Sequence, residues 1–205
     1  MEALPSLPEE TGHSILWELA TPLQRLRAEL YETSEVSLEH VEFVRSEKLN
    51  LQAVEAHAGV LVVRPVRFFP NRTFDLAING VLSVVIEVFD DDDETVIDLV
   101  AWPVNRPEKF ATAFGYAEAL GLAQVCDPET YVDGQPLRIH QTPLAWVKAG
   151  CNGVVILRET SAFLWLPRAL GNLAAEDLAH GQRVARLLHS FFDPARIVVP
   201  ARKAA

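Results

Sequence analysis

Residues 73–89, Thr-Phe-Asp-Leu-Ala-Ile-Asn-Gly-Val-Leu-Ser-Val-Val-Ile-Glu-Val-Phe, decide how this chain is read. Phe74, Leu76 and Ile78 alternate with Thr73, Asp75 and Ala77, the period of a strand with one buried face. Val81 to Phe89 is a second β-type run, rich in branched side chains. Between them, Asn79 and Gly80 are the two residue types that best tolerate positive φ. The stretch therefore predicts a two-residue hairpin with Gly80 in the left-handed region. In that register Arg72 lies opposite Glu87, and Asp75 lies opposite Val84.

The β signal extends to both sides. Val60 to Val63 precedes the hairpin, with Pro65 marking an edge strand or an early end. Thr95 to Trp102 follows the acidic run Asp90-Asp91-Asp92-Asp93-Glu94, so residues 58–104 read as an antiparallel meander. Upstream, Ile15, Leu16, Leu19, Leu23, Leu26 and Leu30 recur at helical spacing. Within that stripe Thr21-Pro22-Leu23-Gln24 offers a cap, a first-turn proline and a capping glutamine. Another helix is expected from Ser37 through Val41 and Val44 toward Val54. The leucine stripe should be buried, with Glu18, Glu29, Glu32, Glu39, Glu42 and Glu47 facing water.

Downstream, Phe110, Ala113, Phe114, Ala117 and Leu120 share one helical face, with Asn105 and Glu108 at its start and Gly121 at its end. Further on come a strand at 137–140, a short helix opened by Thr142-Pro143, a strand at 154–157 and a helix over 161–170. A last helix carries Val184, Leu187, Leu188 and Phe191, and a short strand follows at 197–199. The fold class is α+β (mixed α/β): an N-terminal helical hairpin, a central antiparallel β-meander and C-terminal β/α units. Residues 1–57 read as a helical arm packed on the main domain and 58–205 as an α/β domain, together one globular unit.

The chain has 205 residues, and 28 acids against 18 bases give it a net charge of −10. Residues 1–57 carry −7, residues 58–104 carry −5 and residues 105–205 carry +2. This balance opposes counterion release from a polyanion, so no binding to duplex nucleic acid is expected. No apolar window is long enough for a bilayer, and Met1-Glu2-Ala3-Leu4-Pro5 lacks the basic start of a leader; the expectation is a cytoplasmic protein without membrane contact. Cys126 and Cys151 form neither a CxxC pair nor a disulfide framework.

Chemical motifs are sparse. GxGxxG, the phosphate-binding GxxxxGK, GxSxG and HExxH are all missing. The acidic run at 90–94 lacks the glycine and distal glutamate of a calcium loop and reads as a solvated turn. Asp75, Glu87 and Asp98 are acids inside strands and the candidate metal ligands. The Asp…ExK pattern of metal-dependent nucleases is incomplete here, because Glu87-Val88-Phe89 has no lysine. Period-2 alternation also separates Asp75 from Glu87.

A second set follows from topology, since ligands gather at the carboxyl ends of parallel strands. Glu159 follows the strand at 154–157, His140 ends another, and Glu176, His180 and Arg183 line one side of the last helix. Glu159, Glu176, Asp177 and His180 are the candidate catalytic residues. Arg64, Arg67 and Arg72 with Phe68 and Phe69 give one local interleaving of basic and aromatic residues, a pattern able to stack nucleotides. Trp102, Trp146 and Trp165 sit among apolar neighbours and read as core.

With no assembled catalytic motif, the first expectation is a non-catalytic binding or protein-interaction module, with residues 12–57 meeting a protein partner or a second copy. The alternative is a metal-dependent enzyme acting on phosphoryl or nucleic-acid substrates through its strand-borne carboxylates. No organic cofactor is evident, and a divalent metal stays open.

Overall fold

The computed structural model describes residues 20–32 and 38–190. The helical turns expected at 12–19, the cap at Ser37 and the strand at 197–199 lie outside them. The chain divides into two units, Met1–Ser37 and Leu38–Ala205. In the first, α1 spans Pro22–Glu32 and starts on its predicted capping box. Thr21 Oγ1 accepts from Gln24 N–H at 3.2 Å, and Gln24 Oε1 accepts from Thr21 N–H at 2.8 Å. Leu30 is buried and Glu29 and Glu32 are exposed.

The second unit opens with two helices where the sequence predicts one, α2 (Leu38–Glu47) and α3 (Leu51–Ala58). Lys48 breaks them with a φ of 55°, and Asn50 restarts the helix by accepting from Ala53 N–H at 3.3 Å. A curled sheet follows, built from β1 (Val62–Phe68), β2 (Phe74–Leu76), β3 (Val81–Phe89), β4 (Val96–Pro103) and β5 (Ala111–Thr112). Its order is β2-β1-β3-β4-β5, antiparallel throughout. An isolated bridge between Thr73 and Thr112 brings the two ends of the curl together.

This order corrects the predicted hairpin. β1 lies between β2 and β3, pairing Val66 with Leu76 on one side and with Val81 on the other. Pro65 thus sits in a central strand, and the hydrogen bonds explain why it is tolerated. Its carbonyl accepts from Ala77 N–H at 3.2 Å just past the end of β2, and the Ala77 carbonyl is taken by Gly80 N–H at 2.9 Å. No ladder bond is left waiting for the missing proline N–H. Gly80 is required for a different reason from the one expected. It is not among the positive-φ glycines, but a Cβ there would lie 2.5 Å from the backbone of Val66.

The helix predicted over 105–121 does not form. The segment consists of turns, β5 and β6 (Ala119–Leu120), broken by Gly115 at a φ of 74°. Ala113, Ala117 and Leu120 are buried all the same, so apolar spacing suited to a helix here serves short extended pieces. The acidic run is a turn between β3 and β4. The Asp92 carboxylate accepts from the Thr95 hydroxyl and from the Thr95 and Glu94 N–H groups, which holds it below the usual carboxylate range.

β6 joins β7 (Leu137–His140), β8 (Val154–Ile156) and β9 (Leu173–Ala175) in a mixed sheet ordered β6-β8-β7-β9. β7, β8 and β9 are parallel and β6 runs against them. Three helices accompany this sheet: α4 (Pro143–Lys148), capped by Thr142, the short α5 (Ala162–Trp165) and α6 (Leu178–Ser190). One core joins Val84, Ile86, Val100 and Trp102 of the curled sheet to Phe43, Val54, Trp146 and Val155. A second, on Ile139 and Val154, packs against Trp165, Leu166, Val184 and Leu187. Among the described residues no helix is long and apolar enough to cross a membrane.

Candidate functional site

The structure does not gather the strand-borne acids. Asp75 is exposed on β2, opposite Arg67, and accepts from the next residue's N–H at 2.9 Å. Glu87 pairs with Leu99 and Val88 with Asp98, so the two carboxylates leave the sheet on opposite faces. Glu87 is buried with its carboxyl against Gly59. Asp98, fully buried, is spent on the backbone: Oδ1 accepts from Leu99 and Phe114 N–H at 2.8 and 3.0 Å. Its Oδ2 accepts from Tyr116 and Ala117 N–H at 2.8 and 3.2 Å. Among the described residues no three or more His, Cys, Asp or Glu side chains are grouped to hold a metal ion.

The second set does come together, at the carboxyl ends of the parallel strands. His140 closes β7, and Glu176 and Asp177 join β9 to α6. Around the buried His140 ring, Nε2 is 2.8 Å from the Asn152 carbonyl and Nδ1 is 3.2 Å from Glu176 Oε1. A carbonyl only accepts, so Nε2–H is committed to Asn152, while Nδ1 is turned to the Glu176 carboxylate. His180 is held differently. Its Nδ1 accepts from Glu176 N–H at 3.3 Å, which leaves Nε2–H as the donor of a neutral ring. Burial pushes the His180 pKa down, outweighing the nearby Glu176 and Asp177 carboxylates. Asp177 caps the helix through His180 N–H at 2.7 Å and accepts from Gln141 at 3.0 Å. The first of these bonds is the main reason its carboxyl lies below the usual range. Arg183 pairs with Glu159, and the neighbouring Arg158 donates to the Gly115 carbonyl.

Asp98 reaches this rim indirectly. By fixing the N–H groups of residues 114, 116 and 117 it sets the loop whose Gly115 carbonyl receives Arg158. Three adjoining clefts open here. One, of about 140 Å³, is lined by His140, Thr142, Glu159, His180 and Arg183. A second, of about 390 Å³, lies between residues 71–73, Gly115 and residues 158–160. A third, of about 570 Å³, is bounded by Phe68, Phe69, Arg106 and Lys109. Arg72 and Phe110 line all three, so the clefts form one branched groove between the two sheets. The side chains of Arg72, Arg106 and Lys109 have no hydrogen-bond or ion-pair partner among the described residues.

Sequence reasoning placed Arg72 across from Glu87 and Phe110 on a helix, and it did not single out Arg106 or Lys109. The usable signal was the turn Phe68-Phe69-Pro70-Asn71-Arg72. Of the basic residues noted around it, Arg72 lines the groove, whereas Arg64 and Arg67 do not. Compared with protein-family models, curated proteins and solved structures, the chain has no significant match.

Proposed function

We propose that this protein is a non-catalytic binding module that takes a small anionic ligand in the groove centred on Arg72 and Phe110. The observation that carries this reading is the convergence of three clefts on one exposed arginine with Arg106 and Lys109 beside it, in a chain of net charge −10. Cations concentrated in one concavity of an acidic protein focus potential where an anion would dock. The rim supports binding over turnover. Neither histidine offers a free ring lone pair, since Nδ1 of His180 accepts a backbone N–H and both nitrogens of His140 face acceptors. Glu159 is engaged by Arg183, and Asp177 by the helix start and Gln141. A histidine base needs an uncommitted ring lone pair within reach of substrate, and neither of these rings has one.

Calorimetry with tripolyphosphate tests this reading. Binding should weaken at least about fivefold in Arg72→Gln and fall steeply with salt, as ion-pair-driven association does. Binding that ignores both changes refutes the groove. The enzymatic alternative is tested alongside with a generic aryl phosphate ester and magnesium or manganese. Turnover that disappears in His180→Asn would replace the binding reading with an enzyme working at this rim rather than through the strand-borne acids.

A further inference from the structure

The largest branch of the groove carries more than charge. It lies between two turns that hydrogen bonds have already fixed. In the first, Phe69 N–H donates to Thr73 at 2.8 Å, Arg72 N–H donates to Phe69 at 3.1 Å, and the Arg72 carbonyl accepts from Thr112 at 3.2 Å. Arg72 itself is held at a φ of 63°, a conformation that costs a non-glycine residue energy and persists only where its surroundings enforce it. In the second turn, Arg106 N–H donates to Pro103 and Lys109 N–H to Arg106, each at 3.0 Å. The cleft thus faces Phe69 and Arg72 across to Arg106, Lys109 and Phe110, with Glu108 the one carboxylate among the described residues of its lining. Its volume of about 570 Å³ falls inside the roughly 300–1,000 Å³ usual for small-molecule sites.

A bare phosphate would use the cations and leave the aromatic walls wet. An apolar ligand would do the reverse. A ligand that uses both must carry a flat ring system and an anionic group a few bonds apart. Phe69 is 41% exposed, which is ample surface for a base to cover. Arg72 and Arg106 supply the planar forks that suit phosphate oxygens.

From this placement we infer that the branch between the two turns is a seat for a nucleoside phosphate, with the base against Phe69 and Phe110 and the phosphate on Arg72, Arg106 and Lys109. The inference rests on the anion-binding reading above and names the ligand class for the same groove.

The test titrates the full chain by calorimetry with adenosine 5′-monophosphate, ribose 5-phosphate and inorganic phosphate. Base stacking should make the nucleotide bind about tenfold or more tighter than ribose 5-phosphate. Phe69→Leu, which keeps apolar bulk and removes the ring, should erase most of that ratio while leaving ribose 5-phosphate affinity within about twofold. Arg106→Ala should weaken all three ligands together. Equal affinities for nucleotide and ribose 5-phosphate, or a ratio that survives Phe69→Leu, overturn the base seat and leave anion binding standing. If none of the three binds and tripolyphosphate also fails, both readings fall.

Discussion

Glu87 and Asp98 in the curled sheet are 3% and 0% exposed, while the Glu176 and Glu159 side chains at the ends of the mixed sheet keep 33% and 42% of their surface. The same chemical group does opposite work in the two places. A dry carboxylate must be fully hydrogen-bonded to be tolerated, so Asp98 is tied to four backbone N–H groups and cannot also serve a ligand. A wet carboxylate costs little to place, so Glu159 and Glu176 orient Arg183 and His140 at the groove without carrying the fold. The curled sheet is therefore the scaffold and the mixed sheet's rim the adjustable part.

Asp98→Ala should have the largest effect. It strands four backbone donors at once, those of Leu99 and Ala117 buried, and frees the loop at 114–117, which should cost about 3–5 kcal/mol in chemical denaturation. Asp98→Asn restores shape but presents an amide NH₂ to donors that need an acceptor, so it should recover less than half of the loss. A variant within about 1 kcal/mol of the parent would show that the scaffold does not depend on this residue.

Gly80→Ala comes next. The methyl group would meet the Val66 backbone at 2.5 Å, and backbone on both sides has little room to yield. A loss of roughly 1–3 kcal/mol is expected, the range for overpacking. The sequence marked the right residue for the wrong cause. Asn79-Gly80 reports a tight chain reversal, but reversal into which neighbour is decided by β1 packing between β2 and β3, a choice that no local spacing encodes. The same limit explains residues 105–121. Ala113, Ala117 and Leu120 have helical spacing, yet the segment is pinned from 16 to 19 residues away by Asp98. Elements with local punctuation were legible: α1 from Thr21-Pro22 and α4 from Thr142-Pro143. So were the acids and the histidine around α6, because parallel strands and helix starts bring sequence neighbours to one edge. Of the groove's cations Arg72 was legible through its interleaving with Phe68 and Phe69, whereas Arg106 and Lys109 were not, since they lie on a second turn whose approach to the first depends on the curl.

The rim should also respond to pH. Burial holds the His180 pKa below its ordinary 6.5, with Glu176 and Asp177 pulling it up and Arg183 and His140 pushing it down. The unfolded chain then binds a proton more readily than the folded one. His180's contribution to stability is fully present above pH 6.5 and is lost as pH falls from there through the folded value. His40, also lowered by burial, adds a slope of the same sign. Denaturation midpoints of the parent should therefore fall between about pH 7 and 5. His180→Asn, whose oxygen can still accept from Glu176 N–H, should flatten part of that fall while changing little at pH 8. An unchanged slope would mean that His180 is not held neutral by its surroundings.

Arg183→Ala should have the smallest effect, and that is its value. Its partner Glu159 sits at the groove, but both side chains are substantially exposed, at 61% and 42%. Solvent screens their attraction, and holding a long arginine in one geometry costs rotamer freedom, so such pairs contribute about 0–1 kcal/mol. Urea denaturation of Arg183→Ala should differ from the parent by no more than about 0.5 kcal/mol. The cycle with Glu159→Ala should give a coupling of the same size. Meanwhile the released Glu159 carboxylate would stand uncompensated in the groove beside Arg72, so tripolyphosphate affinity should drop several-fold although stability does not. A coupling well above 1 kcal/mol would make this pair part of the scaffold, and the division between a load-carrying sheet and an adjustable rim would fail at the point where it is easiest to measure.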